Sequence, residues 1–284
     1  MIFKSFIITE RKVEKMKIVS RIYTSLIFVI LYIPIIVLML FSFNSTANTG
    51  NFTGLSLYWY KELFNSPETF NALKNTLVLA VSSATISTII GTAAAVGISK
   101  FRRNFFKRSV LSVTNIPMMN PDIVTGISMM LLFVFIGNII AKEDKLGFHT
   151  LLIAHVTFCL PYIILSVRPK LMQMNVALPE AAMDLGCTPL QSFFKVEFPN
   201  IMSGVISGFI LAFTLSLDDF VISYFTTGND FQTLPLLIYS MTKKEVKPDI
   251  YALSTLMIIA VTVLLLLSNV SSKEKTAQGK AAIK

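Results

Sequence analysis

The chain has 284 residues, of which 54% are hydrophobic and only 14% charged, against about 25% charged in ordinary soluble domains. That balance excludes a soluble globular protein and points to one polytopic membrane domain. The formal net charge of +9 invites a nucleic-acid reading, but the basic residues gather beside apolar runs, so they report membrane orientation and no nucleic-acid partner is expected.

Residues 1–21 form a basic segment with Lys4, Arg11, Lys12, Lys15, Lys17 and Arg21. The apolar run Ile22–Phe43 follows, too long for the core of a signal peptide, and no Ala-x-Ala site succeeds it. It therefore reads as a membrane span, with Pro34 a tolerated kink. The single tryptophan, Trp59, lies in the next loop. It reads either as an interfacial anchor or as an aromatic platform for an organic cation. The second span is Leu77–Ile98, and Lys100, Arg102, Arg103, Lys107 and Arg108 come after it. The third, Val110–Ile140, is too long for one straight crossing of ~30 Å of hydrocarbon at ~1.5 Å per residue. The fourth, Leu151–Val167, is only marginally long enough. A polar loop over residues 170–200 leads to the fifth span, Val205–Phe225, and Ile250–Asn269 is the sixth. Residues 271–284 form a polar tail. The expected fold is all-α and integral to the membrane, with six transmembrane helices over 22–270. The positive-inside bias puts both termini and the 170–200 loop in the cytoplasm.

Several chemistries lack their residues. There is no Gly-x4-Gly-Lys-Ser/Thr phosphate loop, so the chain is not expected to bind ATP or any other cofactor itself. His149 and His155 are six apart, a spacing that puts them on different helix faces, and no metal site is expected. His155 reads as hydrogen-bonded within the bundle, and Cys159 and Cys187 as reduced packing residues.

Acids where acids are costly carry more information. Asp122 follows Pro117 and Pro121, which interrupt the third span. Freed backbone carbonyls cannot be satisfied by lipid, so this break must face protein or water. Asp122 either caps the helix restarting at Ile123 or contributes to a substrate pathway. Asp218 and Asp219 fall deep in the fifth span, at about 2.5–3.5 kcal/mol each on insertion scales. They either line a route for a cation or are satisfied by a basic residue elsewhere.

The loop over 170–200 is the most specific feature. Pro179 and Pro199 bracket a short helical hairpin, with Glu180 at a helix N-terminus and Gly186 as a helix stop. The pattern Glu180-Ala181-Ala182-x3-Gly186-x9-Val196-x-Phe198-Pro199 resembles the EAA loop of ABC-importer permeases, with Val196 and Phe198 in place of Ile and Leu. Blocks at Tyr32–Ile36, Phe43–Ser45, Asn120–Val124, His155–Pro161, Leu215–Ser223 and Leu234–Met241 are similar to the permease subunits of bacterial spermidine/putrescine importers. That resemblance covers nearly the whole chain.

The resemblance implies a type I ABC importer permease of MetI-like fold in the cytoplasmic (inner) membrane. Its implied partners are a second homologous permease, two copies of a cytoplasmic ATPase that consumes the ATP, and an extracytoplasmic polyamine-binding protein. Glu180, Ala181, Ala182, Gly186 and Pro199 would belong to the element that docks on the ATPase. Asp122, Asp218, Asp219 and Trp59 are the candidates for the pathway. Rival readings are the sister permease, a permease for another solute, a proton-coupled secondary carrier and an intramembrane enzyme. An ATPase dock argues against the carrier, and missing nucleophile–base spacings argue against the enzyme.

Overall fold

The computed structural model describes residues 2–46, 51–101, 104–140, 146–228, 231–243 and 249–263, with side chains described from residue 17 onward except at 18, 104 and 140. Arg102, Arg103, the end of the sixth expected span and the 271–284 tail lie outside the described residues. The described chain is helical: α1 Ile2–Phe41, α2 Tyr58–Asn65, α3 Pro67–Ser99, α4 Asn104–Met119, α5 Asp122–Ile140 and α6 Phe148–Gln173. Then come α7 Ala177–Asp184, α8 Pro189–Ser192, a π-helical turn Phe193–Glu197, α9 Phe198–Asp218, α10 Val221–Thr226 and α11 Leu234–Thr242. A last helix, α12, covers Asp249–Val263. Among the described residues, five helical stretches are long and apolar enough to cross a membrane, those of α1, α3, α5, α6 and α8–α9, and α12 is a shorter apolar helix.

Three expected spans change on folding. The third is two helices, because Pro121 has no N–H to continue α4 and its own carbonyl starts α5 by accepting from Val124 and Thr125. The fourth is longer than Leu151–Val167: α6 runs on through Arg168, Pro169 and Lys170 to Gln173. Long basic side chains tolerate a helix end at the membrane surface because their stems stay in apolar surroundings while the charge reaches water. The fifth is broken at Asp219, whose backbone is extended (φ −64°, ψ 123°).

The chain divides into two compact units, residues 1–65 with 242–258, and residues 66–241 with 259–284. In the first, the apolar stretch Val19–Phe41 of α1 exposes its side chains nearly all round, as a lipid-facing helix does. The second is built on α3, α6 and α9. Its core joins Ala84, Ala95, Phe158, Cys159, Ile163, Val167, Ile201, Val205 and Ala212, with Ile222 of α10. Lipid supplies no hydrophobic drive for helix association, so close backbone approach through small residues takes over. Gly204 of α9 shows it: a Cβ there would sit 2.8 Å from the Ser166 carbonyl oxygen and 2.8 Å from Lys170 Cγ. At Gly208 the nearest atom would be Ser166 Cβ at 3.3 Å. Gly204→Val is therefore expected to force α6 and α9 apart, at or above the ~1–3 kcal/mol usual for overpacking. Gly208→Ala should cost less. Membrane protein level by immunoblot and peak shape in fluorescence-detected size exclusion check the order. Equal behaviour of the two variants would refute the close crossing.

Candidate functional site

The loop after α6 is a compact structure held by its own backbone. Helix α7 begins at Ala177, two residues ahead of Pro179, and carries Glu180 in its first turn, where the helix dipole favours a carboxylate. It ends as the glycine foretold. Gly186 has φ +90° and donates to the Met183 carbonyl at 2.9 Å, while Cys187 donates to Ala182 at 3.0 Å. This double closure is a Schellman motif, and its left-handed residue is the reason for a glycine. Thr188 then caps α8: its hydroxyl accepts from the Gln191 N–H, and the Gln191 side chain accepts from the Thr188 N–H at 3.1 Å. The Ser192 hydroxyl donates to the Pro179 carbonyl at 3.1 Å, locking α8 to α7.

From α8 the chain stays helical through the π turn into α9, so Pro199 lies in the first turn of α9 instead of closing the hairpin. Buried Glu197 in that turn pairs with Lys100, at the end of α3, at 3.0 Å. Glu180, Ala181 and Gly186 are exposed and Ala182 half-buried, and beside them Leu178, Met183, Leu185, Leu190 and Phe194 present apolar side chains to the surface. An ordered helix with that much uncovered apolar surface offers an area that a partner can cover.

The second cluster lies at the two helix breaks. Gly126, one turn into α5, faces α10 so closely that a Cβ would meet Phe225 Cδ2 at 2.9 Å and the Val221 carbonyl oxygen at 3.5 Å. The start of α5 and the start of α10 therefore lie side by side. Asp122 is exposed and is the first residue of α5, and among the described residues its side chain accepts no capping bond, so the N-cap expectation is corrected. Tyr162 of α6 is within electrostatic reach of it.

Adjacent in sequence, Asp218 and Asp219 have different surroundings. The Asp219 carboxylate accepts from the N–H groups of Ile222 (3.3 Å) and Ser223 (2.8 Å), which makes it the cap of α10. His155 Nε2 lies 3.4 Å from the same carboxylate, and His155 is fully buried. The imidazole is also hydrogen-bonded through Nδ1 to Ser216 (2.7 Å) and through Nε2 to Ser223 (3.1 Å), and Ser83 of α3 donates to Ser216 at 2.9 Å. A polar chain thus ties α3, α6, α9 and α10 together at the break. Asp218, the last residue of α9, is exposed, and no such chain reaches it. One acid is satisfied by the fold and the other is left to face outward. Beside them the Phe220, Tyr224 and Tyr239 rings form a cluster, with Phe220 and Tyr239 centroids 4.7 Å apart and Tyr224 and Tyr239 5.8 Å.

Trp59 is not in a loop. It belongs to α2, where its indole N–H donates to the Asn44 carbonyl at 2.9 Å and Tyr58 packs edge-on against it. Asn44 also accepts from the N–H and hydroxyl of Thr53 and donates to the Asn51 carbonyl. Phe43–Ser45 and Trp59 therefore form a clamp that fixes the end of α1, which gives the indole a structural task. Ser83, Ser216 and Ser223 carry no signal in the sequence, since a serine in a span has no distinguishing pattern. Cys159 packs in the core, within 3.6 Å of the Ala212 carbonyl.

These features have counterparts in known proteins. Residues 87–273 match the family described as binding-protein-dependent transport system inner membrane component. The spermidine/putrescine transport system permease protein PotC of Escherichia coli strain K12 is 38% identical over 262 residues, covering 92% of this chain and 97% of the relative. The putrescine transport system permease protein PotI of the same strain is 40% identical over 234 residues, 82% of this chain and 83% of the relative. Among solved structures, a bacterial ABC transporter involved in alginate import superposes with a TM-score of 0.69 at 16% identity, over 90% of this chain and 94% of that one. The exposed α7–α8 hairpin and the broken helices thus sit in a fold shared with importer permeases, and the chain belongs to the family of binding-protein-dependent transport system inner membrane components.

Proposed function

We propose that the chain is a permease subunit that carries spermidine and putrescine across the inner membrane as part of an ATP-driven importer. It forms the pathway with a second, homologous permease, two copies of an ATPase work beneath it, and an extracytoplasmic binding protein delivers the polyamine. The chain brings no ATPase site of its own. The observation that carries this reading is Asp218, an exposed carboxylate at a helix break inside the membrane domain, beside the rings of Phe220, Tyr224 and Tyr239. A charge there cannot face lipid without a cost of several kcal/mol. Facing a pathway, it can replace water around an ammonium group, and each aromatic face adds about 0.5–2 kcal/mol of cation–π attraction. The names of the two Escherichia coli relatives support polyamines as the cargo. The fold by itself does not choose a cargo, since the same fold occurs in a transporter for an acidic polysaccharide.

The connections support a route of coupling. A push on α7 passes through Ser192 and the π turn into α9, and Lys100 carries it to α3. Helix α9 spans 21 residues, or about 31 Å at 1.5 Å per residue, and ends at Asp218. A docking element and a pathway acid are therefore opposite ends of one rod. Movement of the rod changes what Asp218 faces, and Asp219 with His155 is the joint about which it bends.

The test is uptake of radiolabelled spermidine and putrescine in cells without their own polyamine importers, supplied with this chain, its companion permease, ATPase and binding protein. Accumulation of both polyamines that ceases when the ATPase is omitted is expected. Uptake that persists without the ATPase would establish a secondary carrier, and transport of a different solute only would remove polyamines as cargo.

A further inference from the structure

Between α4 and α6 lies a cleft of about 390 Å³ lined by Lys107, Arg108, Leu111, Ser112, Asn115 and Arg168. The α4 residues fall at positions i, i+1, i+4, i+5 and i+8, so they share one face over two turns. None of the lining residues is acidic, and three are cations. Like charges converge at a cost unless an anion lies between them. Arg168 Nε is buried with no hydrogen-bond partner among the described residues, and so is Asn115 Oδ1. Leaving such groups unmet is costly, most of all for the charged one. The cleft thus lacks two things: an anionic acceptor for Arg168 and a donor for Asn115.

We propose that this cleft seats the head of an acidic glycerophospholipid, its phosphate against Arg168, Arg108 and Lys107 and a headgroup hydroxyl on Asn115. Phosphate oxygens suit an arginine fork geometrically and are better acceptors than neutral groups. A phosphoglycerol head brings the acceptor and the donor in one ligand, and Leu111 offers an apolar wall to the glycerol backbone. The place fits as well. Lys107 and Arg108 start α4, and Arg168 lies near the end of α6, just before the α7–α8 hairpin. Basic side chains at the ends of membrane helices meet headgroups, and each is attracted to an anionic surface. A polyamine has the same sign as the cleft, so on the reading above the cargo does not compete for it. The lipid site itself stands whatever the cargo is. A bound lipid would brace α4 against α6 beside the segment that leads into the docking hairpin.

The experiment uses the assembled transporter in detergent, incubated separately with phosphatidylglycerol, phosphatidylcholine or inorganic phosphate, and read by native mass spectrometry and thermal melting. Phosphatidylglycerol should be retained and should raise the melting temperature, while phosphatidylcholine and phosphate should not. Arg168→Gln should weaken phosphatidylglycerol retention by about tenfold, the equivalent of one charge-assisted hydrogen bond. Asn115→Leu should shrink the preference for phosphatidylglycerol over phosphatidic acid, which lacks the headgroup hydroxyl. Circular dichroism controls for folding, and Arg108→Gln, on an exposed residue, is the variant least able to disturb packing. Stabilisation by inorganic phosphate alone would replace the lipid with a soluble anion. Unchanged lipid retention in both arginine variants, or loss of the companion permease from the Arg168→Gln complex with lipid retention intact, would overturn the proposal.

Discussion

Gly186→Glu is expected to reduce uptake to near background while the permease still inserts and accumulates. The substitution meets no steric obstacle, since no atom lies within 4 Å of where the new Cβ would sit. Its cost comes from the backbone. At φ +90° an L-residue is strained by roughly 1–2 kcal/mol. A second negative charge near Asp184 at the carbonyl end of α7 adds about 0.3–1 kcal/mol. Together these rival the stability of an eight-residue helix that depends on its Schellman closure and the Ser192–Pro179 bond. With the closure lost, Glu180, Ala181 and Ala182 no longer hold their places beside the exposed Leu178, Met183 and Leu185. Each ~1.4 kcal/mol of lost docking energy weakens ATPase capture about tenfold. Gly186→Asn is the companion variant. Asparagine tolerates the left-handed region and brings no charge, so it should retain much of the transport. The measurements are pull-down of the ATPase and uptake normalised to membrane protein. Normal values of both for Gly186→Glu would remove α7 as the docking element.

The all-helical membrane fold, the break of the third span and the glycine stop of α7 are legible in the sequence for one reason: their signals are local. A bilayer asks for about 20 apolar residues per crossing, and Pro117 and Pro121 announce a break without tertiary information. Gly186 stated its own backbone angle. Where the fold departs from the local pattern, the controlling contact is remote or the local cue is ambiguous. Arg168 and Lys170 read as the end of the fourth span, yet α6 continues through them because their stems are apolar. The break at Asp219 has neither proline nor glycine. Its one local sign is an aspartate followed at the third and fourth positions by N–H groups it can cap, a pattern equally common in unbroken sequence. That Asp219 is the satisfied acid follows from His155, 64 positions away in sequence, and the serines that orient the imidazole come from two further helices. Trp59 read as loop because its clamp on Asn44 spans a turn with no periodicity.

Asp218→Asn and Asp219→Asn, chemically the same change on neighbouring residues, are expected to fail in different ways. Asparagine at 218 keeps size and hydrogen-bonding capacity and removes a charge from an exposed carboxylate that the fold does not use. Protein level and melting temperature should stay near the parent, while polyamine uptake falls. One carboxylate–ammonium contact at a protein surface amounts to a few kcal/mol before screening, so a loss of tenfold or more is the expected scale. Spermidine should suffer more than putrescine, because a cargo with more charges draws more of its attraction from each acid. Asparagine at 219 still caps α10 about as well as aspartate, but it cannot match a carboxylate as acceptor for His155 Nε2 3.4 Å away. Its defect should therefore appear first in stability, at about 1–3 kcal/mol for a weakened buried network, and equally for both polyamines. Asp122→Asn separates the remaining alternatives: since Asp122 makes no capping bond, any uptake defect there reports charge. The assays are uptake of each polyamine normalised by immunoblot and thermal melting of the purified complex. Parent-like transport by Asp218→Asn would exclude that carboxylate from the pathway, and a shared drop in stability for both neighbours would mean that Asp218 also belongs to the joint.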